Sequence, residues 1–365
     1  MRIKRFGVGE VRVPLIQPFK TSLRQVTAIE NTLVRLETDE GQVGFGEAAA
    51  VPYITGDTTG GVLAALAHLA GIIRDQPLED PAIFELINGA MMHNTGAKAA
   101  LDVAIHDVLA QAAGVSLRHY LNPQAGDTLV TDMTISVDTP QKMAADTARA
   151  VAEGFSILKV KVGTGVDIDI ARLCAVREAA GSGPVLRLDA NQGWTAAEAI
   201  RILQAIEDAE LGAVLVEQPV AWWDVEGLKL VSAAIELPVL ADESVHSVRD
   251  ARQLIDDHAA DMLNIKLMKT GGIHQARKIA DYAAQAGVEC MIGAMMESSV
   301  SITAAAQFAL GASAVTMFDL DPPLLGSANP VLGGMTWQGE TITMPHGVGN
   351  GVSGVAGATF VDVIR

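Results

Sequence analysis

Cysteine is nearly absent: Cys174 and Cys290 are the only two in 365 residues. So few exclude a disulfide framework and fit a reducing, intracellular setting. Long apolar runs are missing too. The longest, residues 62–73, is too short to span a bilayer and carries His68. The N-terminus enters alternating sequence at once, without the apolar stretch of a signal peptide. Basic residues are scarce, 26 against 43 acids for a net charge of −17, which disfavours a grip on nucleic acid or anionic membrane. The expectation is a soluble, cytoplasmic protein with neither as a partner. An anionic substrate would need a local cation or metal to receive it.

What the chain does have is core. At 49% hydrophobic and 19% charged it buries enough for one large domain with an accessory piece. Residues 2–15 alternate like a strand, and 31–38 with 42–47 flank an Asp39-Glu40-Gly41 hairpin turn. Helical patterns follow at 61–74, 81–92 and 97–113. From about residue 129 short apolar runs alternate with helical stretches: 129–136, 157–161, 185–189, 213–217, 239–242, 262–266, 289–293 and 315–319. Thr195 with Glu198, and Ser247 with Asp250, have capping-box spacing. Eight βα units fit a TIM-like (β/α) barrel of seven or eight units, the eighth helix being weak because Pro322-Pro323 follows the last run. The expected division is an α+β capping domain over residues 1–125, completed by 326–365, and a barrel over 126–325. The alternating tail at 334–344 is expected to return to the N-terminal domain.

A barrel places its active site at the C-terminal ends of its strands. Lys161, Asp189, Glu217, Asp242 and Lys266 end consecutive runs, at successive spacings of 28, 28, 25 and 24 residues. Taken singly, each is as well explained as a helix cap or a solvated strand end. Five in register, three acids between two lysines, are not. Three carboxylates converging on one mouth repel unless a cation sits among them, and hard oxygen ligands select Mg²⁺ or Mn²⁺ over zinc. Lysines flanking such an ion suit removal of a proton from one face of a carbon and its return to the other. The enolate formed beside a carboxylate needs the metal's charge. A lysine base must also be partly neutral, and the metal with Lys159 nearby would lower its pKa.

The segments Lys159-Val160-Lys161, Arg187-Leu188-Asp189-Ala190-Asn191-Gln192-Gly193-Trp194, Val216-Glu217-Gln218-Pro219, Ala241-Asp242-Glu243-Ser244 and Asn264-Ile265-Lys266-Leu267-Met268-Lys269-Thr270-Gly271-Gly272 together resemble the enolase superfamily, in its muconate-lactonizing subgroup, over essentially the whole chain. The resemblance implies that Asp189, Glu217 and Asp242 hold Mg²⁺ and that Lys161 and Lys266 form the acid/base pair. A Lys or His base with Mg²⁺ is the known pattern of that superfamily. It further implies that Lys159 assists at the carboxylate, with Asn191 and Glu243 just behind the metal ligands.

Within the subgroup, cycloisomerases, o-succinylbenzoate synthases, acylamino-acid racemases and dipeptide epimerases share this machinery. Asp319-Leu320-Asp321 discriminates among them. Residues i and i+2 of a strand share a face, so paired acids away from the metal trio suit a substrate ammonium. The sequence therefore looks like a dipeptide epimerase of Ala-Glu type, which inverts the second residue. Murein-peptide metabolism is its expected setting and a homo-oligomer its expected assembly. Arg24, in the loop 17–24, resembles the arginine that meets a glutamate side chain in such enzymes. Tyr53 in a second loop, and Met296 and Glu297 beyond the seventh run, are expected to line the pocket. Other subgroup chemistry, or a barrel that only binds, are the alternatives.

Overall fold

The computed structural model describes residues 1–364. The chain opens on an antiparallel meander of β1 (Ile3–Lys20), β2 (Gln25–Thr38) and β3 (Val43–Ala48). One face of it is dry, covered by α1 (Thr59–Ile73), α2 (Ala82–Gly89) and α3 (Thr95–Ala112) around Phe6, Leu36, Leu66, Leu69 and Leu101. Gly46 is required here, because a Cβ at that position would stand 1.9 Å from the carbonyl oxygen of Ala100 on α3.

After α4 (Leu117–Leu121) and β4 (Thr128–Val130) come eight parallel strands in strict sequence order. They are β5 (Met133–Ile135), β6 (Ile157–Lys161), β7 (Val185–Asp189), β8 (Ala213–Glu217), β9 (Val239–Ala241), β10 (Met262–Ile265), β11 (Cys290–Ile292) and β12 (Val315–Phe318). The helices between them are α5 (Pro140–Ala152), α6 (Val166–Ala180), α7 (Ala196–Asp208), α8 (Val225–Ala234) and α9 (Val248–Asp256). Then follow α10 (Leu267–Thr270), α11 (Ile273–Ala286), α12 (Ser299–Gly311) and the four-residue α13 (Pro322–Leu325). Both capping boxes form, at Thr195/Glu198 and Ser247/Asp250. The sheet curls into the TIM-like barrel. Its seam is bridged by the amide of Asp132, which donates to Phe318 O at 3.3 Å.

The run expected as one first strand, 129–136, is split in two. Thr131 and Asp132 interrupt it because the Asp132 carboxylate is buried against the Arg187 guanidinium at 2.9 Å. The tail also departs from expectation. Residues 334–344 do not return to the N-terminal sheet; β14 (Thr336–Gln338) and β15 (Thr341–Thr343) pair with β4 instead. The apolar side of that alternation, Met335, Ile342 and Met344, packs into the barrel core. β13 (Val331–Gly333) pairs with β16 (Val352–Val355), and β17 (Val361–Ile364) pairs with β1. Among the described residues, no helix is long and apolar enough to cross a membrane.

α3 joins the two parts, lying against β3 on one side and α10 and α11 on the other. Its Asp102 accepts the amides of Ile273, at 2.7 Å, and His274, at 3.3 Å, at the start of α11. Its Asp107 accepts amides from Phe45, at 3.1 Å, and Asn350, at 2.8 Å, stitching β3 to the tail. Burial pushes the Asp107 carboxyl up to about 6. The folded state therefore holds that proton more tightly than the unfolded state, and its contribution to stability is lost as pH rises through about 6. Between pH 5 and 7.5, urea titrations are expected to show wild type losing on the order of 1 kcal/mol relative to Asp107→Asn. A pH-independent difference between the two would remove this assignment.

Candidate active site

Strand register sets the mouth of the barrel. Lys161 stands opposite Asp189, and Asp189 opposite Glu217. Glu217 faces Leu240, so Asp242 projects on the same side two residues later. Ala241 faces Leu263, which brings Asn264 beside Asp242 and Lys266 two residues beyond. Lysines thus approach from both sides of the three acids. The backbone around them is strained: Asn191, Gln192 and Gln218, just past β7 and β8, have φ of 42°, 67° and 38°. Such left-handed non-glycine residues persist only where their surroundings enforce them. Gln218 Oε1 does so, accepting the amides of Asp242 at 2.9 Å and Ser244 at 3.1 Å.

Lys159 is 1% exposed and is the electrostatic hub. Its Nζ lies 2.6 Å from Asp319 Oδ2, 2.7 Å from Glu217 Oε2 and 3.1 Å from Asp189 Oδ2. Lys161 Nζ meets Asp189 Oδ2 at 2.5 Å, and Lys266 Nζ meets Asp242 Oδ2 at 2.8 Å. Burial opposes ionisation of every acid here. For Asp189 the lysines 161 and 159 override it, holding the carboxyl at about 2. For Glu217 burial wins, reinforced by Asp189, and the carboxyl rises to about 8. Burial and Asp242 push Glu243 up to about 7, and burial and Asp319 push Asp321 up to about 6. The acids exceed what the lysines neutralise. At Lys266 burial and the neighbouring Lys159 pull the pKa down, Asp242 pulls it up, and the balance lies above the usual lysine range.

Among the described residues, no three His, Cys, Asp or Glu side chains are gathered closely enough to grip an ion as they stand. Ammonium groups stand between the carboxylates, Lys159 above all. The donor set nevertheless suits Mg²⁺, being hard oxygens without thiolate or imidazole. Burial raises the Glu217 carboxyl, and a divalent ion beside it would favour its ionised form. Buried oxygens without any partner, Asn191 Oδ1, Glu243 Oε2 and Asn264 Oδ1, sit around the same mouth. The residues fit the ion, provided Lys159 yields its place among them.

The cavity over this mouth contains about 570 Å³ of unfilled space, part of it open to solvent. Lys159, Lys161, Asn191, Asp242, Glu243, Lys266, Asp319, Asp321, Arg24 and Met296 line it, with Phe19, Leu23, Ile54 and Met295 as apolar wall. Tyr53 does not; it is 70% exposed, and its neighbour Ile54 faces the cavity instead. Glu297 does not either. Its carboxylate turns back to accept from the Met295 amide at 2.6 Å and from the Ser301 hydroxyl. Asp319 and Asp321 reach the cavity by a route other than the strand pairing expected. β12 ends at Phe318, and Asp321 takes helical φ and ψ at the start of α13, with Pro322 in its first turn. Nor does Asp319 stand away from the acid trio, since Lys159 bridges it to Glu217 and Asp189.

Several residues that shape the site escaped the sequence reading. Asn264 donates from Nδ2 to Glu217 Oε1 at 2.9 Å, and Lys269 binds Asp242 Oδ1 at 2.6 Å. Asn264, on β10 two residues before Lys266, opens the motif 264–272, in which sequence alone assigned it no role. A Cβ at Gly293 would come within 2.6 Å of Asn264 Oδ1 and 3.0 Å of Lys266 Cε, so a glycine there makes room for both. Gly293→Ala is expected to keep the fold while lowering turnover tenfold or more, by displacing Lys266. Turnover within twofold of wild type would show that the space is not needed.

Residues 5–121 match the mandelate racemase / muconate lactonizing enzyme N-terminal domain, and residues 142–354 the enolase C-terminal domain-like family. The L-Ala-D/L-Glu epimerase of Bacillus subtilis (strain 168) is 43% identical, with 98% of this chain and 98% of that protein aligned. The structure of its substrate-liganded complex superposes with a TM-score of 0.96 at 44% identity, covering 98% of this chain and 100% of that one. A hydrophobic dipeptide epimerase of Enterococcus faecalis is 38% identical over 97% of this chain and 100% of its own length. The dipeptide epimerase of Cytophaga hutchinsonii, complexed with Mg and D-Ala-L-Val, superposes with a TM-score of 0.95 at 34% identity over 100% of both chains. By sequence and by structure alike, this chain belongs to the mandelate racemase / muconate lactonizing enzyme family of the enolase superfamily.

Proposed function

We propose that the chain is a Mg²⁺-dependent dipeptide epimerase, an isomerase that inverts the α-carbon of the second residue. The observation that carries the reading is one cavity holding Lys161 and Lys266 on opposite sides of the acid trio, with Asp319 and Asp321 beside them. Asp189, Glu217 and Asp242 would hold the ion. Bound there, Mg²⁺ would supply the positive charge that makes a carbon acid beside a carboxylate acidic enough to lose its proton.

The rest falls to the chain's own side chains. One of the two lysines takes the α-proton from its face, and the other returns a proton from the opposite face. Lys159 retains Asp319 as its partner and lies within reach of the substrate carboxylate. Asp321 forms no ion pair with any described residue and lines the cavity, which suits it to receive the free ammonium of a dipeptide. The Ser22 hydroxyl donates to the carbonyls of Ala190 and Asn191, both at 3.0 Å, latching the Arg24 loop onto the mouth.

Arg24 lines the cavity, and among the described residues its guanidinium makes no ion pair. A half-buried guanidinium without a carboxylate partner is fitted to one brought by substrate, so Glu is the second residue this site favours. A second reading rests on the wall of Phe19, Leu23, Ile54, Met295 and Met296, which suits an apolar second residue.

In D₂O with Mg²⁺, L-Ala-L-Glu is expected to gain one deuterium at the Glu α-carbon as L-Ala-D-Glu accumulates, read by mass and by NMR. Absence of incorporation across a broad L,L-dipeptide library would defeat the assignment. Arg24→Met should raise KM for L-Ala-L-Glu by roughly 10- to 100-fold, the worth of a charge-assisted hydrogen bond, and leave L-Ala-L-Leu nearly unchanged. Equal effects on both substrates would favour the apolar reading.

A further inference from the structure

We infer that Lys269 is a positioning residue that fixes Asp242, and through the β10 backbone Glu217, in the arrangement that receives the divalent ion; this rests on the functional reading above. Lys269 is fully buried and does not line the cavity. An ammonium has three N–H donors. Its Nζ finds three oxygens: the Asp242 carbonyl, Asp242 Oδ1 at 2.6 Å and the Asn264 carbonyl at 3.0 Å. With every donor engaged and no path to the cavity, it is not placed to exchange a proton with substrate.

The contrast with Lys266 is instructive. Lys266 lines the cavity and holds the other oxygen of the same carboxylate, Oδ2, at 2.8 Å. The two oxygens of Asp242 are thereby divided, Oδ1 to a lysine sealed beneath the site and Oδ2 to one that faces the mouth. When Lys266 turns to substrate, Lys269 still pins the carboxylate and its backbone. The Asn264 that accepts from Lys269 through its carbonyl also donates to Glu217 through its amide, at 2.9 Å. One strand and one buried ammonium therefore set two of the three acids.

The local chain is bent to bring this about. α10 is a single turn between Lys266 and Gly271. Gly271 and Gly272 have φ of 84° and 113°, and a Cβ on Gly272 would stand 2.4 Å from Asp102. The α10 turn sets Lys269 beneath Asp242, and the two glycines that follow let the chain reverse against Asp102 of α3.

Calorimetric titration of MgCl₂ into the metal-free full-length protein tests the inference. Wild type is expected to bind one ion. Lys269→Met, with unchanged far-UV circular dichroism, is expected to bind it at least tenfold more weakly. Lys269→Arg, which restores the charge in a wider head, should recover part of the affinity. A folded Lys269→Met with wild-type Mg²⁺ affinity overturns the inference and leaves the epimerase reading standing. Wild type that binds no Mg²⁺ overturns both. If Lys269→Met does not fold, Lys269→Gln decides by the same comparison.

Discussion

Carboxylates buried close together in a barrel mouth must each find positive charge, and the site is arranged around that requirement. In a poorly screened interior, like charges a few ångströms apart interact far more strongly than in water, so an unpaired acid takes up a proton. Asp189 and Asp242, each touched by lysine ammonium groups, stay ionised, whereas Glu217, sharing Lys159 with two other acids, is pushed up to about 8. Neutral amide side chains stand behind the acids. Gln218 and Asn264 orient carboxylates and adjoining backbone without adding charge, and the strained backbone at Gln218 is held by those bonds.

Chemistry and selection are carried by different parts of the chain. Lysines and acids stand at or just past the ends of barrel strands, whose ladders fix them in register. Arg24, Leu23 and Phe19 arrive on the first hairpin, whose tip is held to the barrel by a few polar contacts. Lys20 Nζ reaches Asp138 at 2.5 Å, and the Lys20 amide donates to Ser136 Oγ at 3.2 Å. Ile54 comes from a second loop, and its carbonyl stands 3.4 Å from His246 Nε2. A wall built on such loops tolerates exchange of side chains without disturbing the strands. The relatives named for Ala-Glu and for hydrophobic dipeptides, on one fold, are consistent with that division.

The sequence disclosed what depends on period and spacing. Apolar runs separated by helical stretches gave the barrel, and the even spacing of Lys161, Asp189, Glu217, Asp242 and Lys266 gave the mouth. It was silent where the outcome depends on what a side chain meets in space. Glu297 and Tyr53 lie in the right loops, but one turns to the Met295 amide and the other to solvent. The strand at 129–136 breaks because Asp132 finds Arg187, 55 residues away. The 334–344 alternation is genuine, yet alternation says only that one face is dry, not which core will dry it. Lys269 lay inside a quoted motif with no visible task until its three oxygen partners were placed around it.

Charge balance also suits the proposed mouth to both a divalent ion and a cationic substrate end. Lys159 now serves Asp189, Glu217 and Asp319 together, and no described cation forms an ion pair with Asp321. An ion among the trio would free Lys159 from two of those three partners and leave it to Asp319. Asp321, which already accepts the Thr134 amide at 2.7 Å, would then be, like Glu243, a cavity acid without an ion-pair partner. A substrate ammonium would supply one, whereas a muconate or an N-acylated amino acid brings none. On the proposed reading, the metal's place and a preference for a free amino terminus would be two consequences of the same surplus of buried acid.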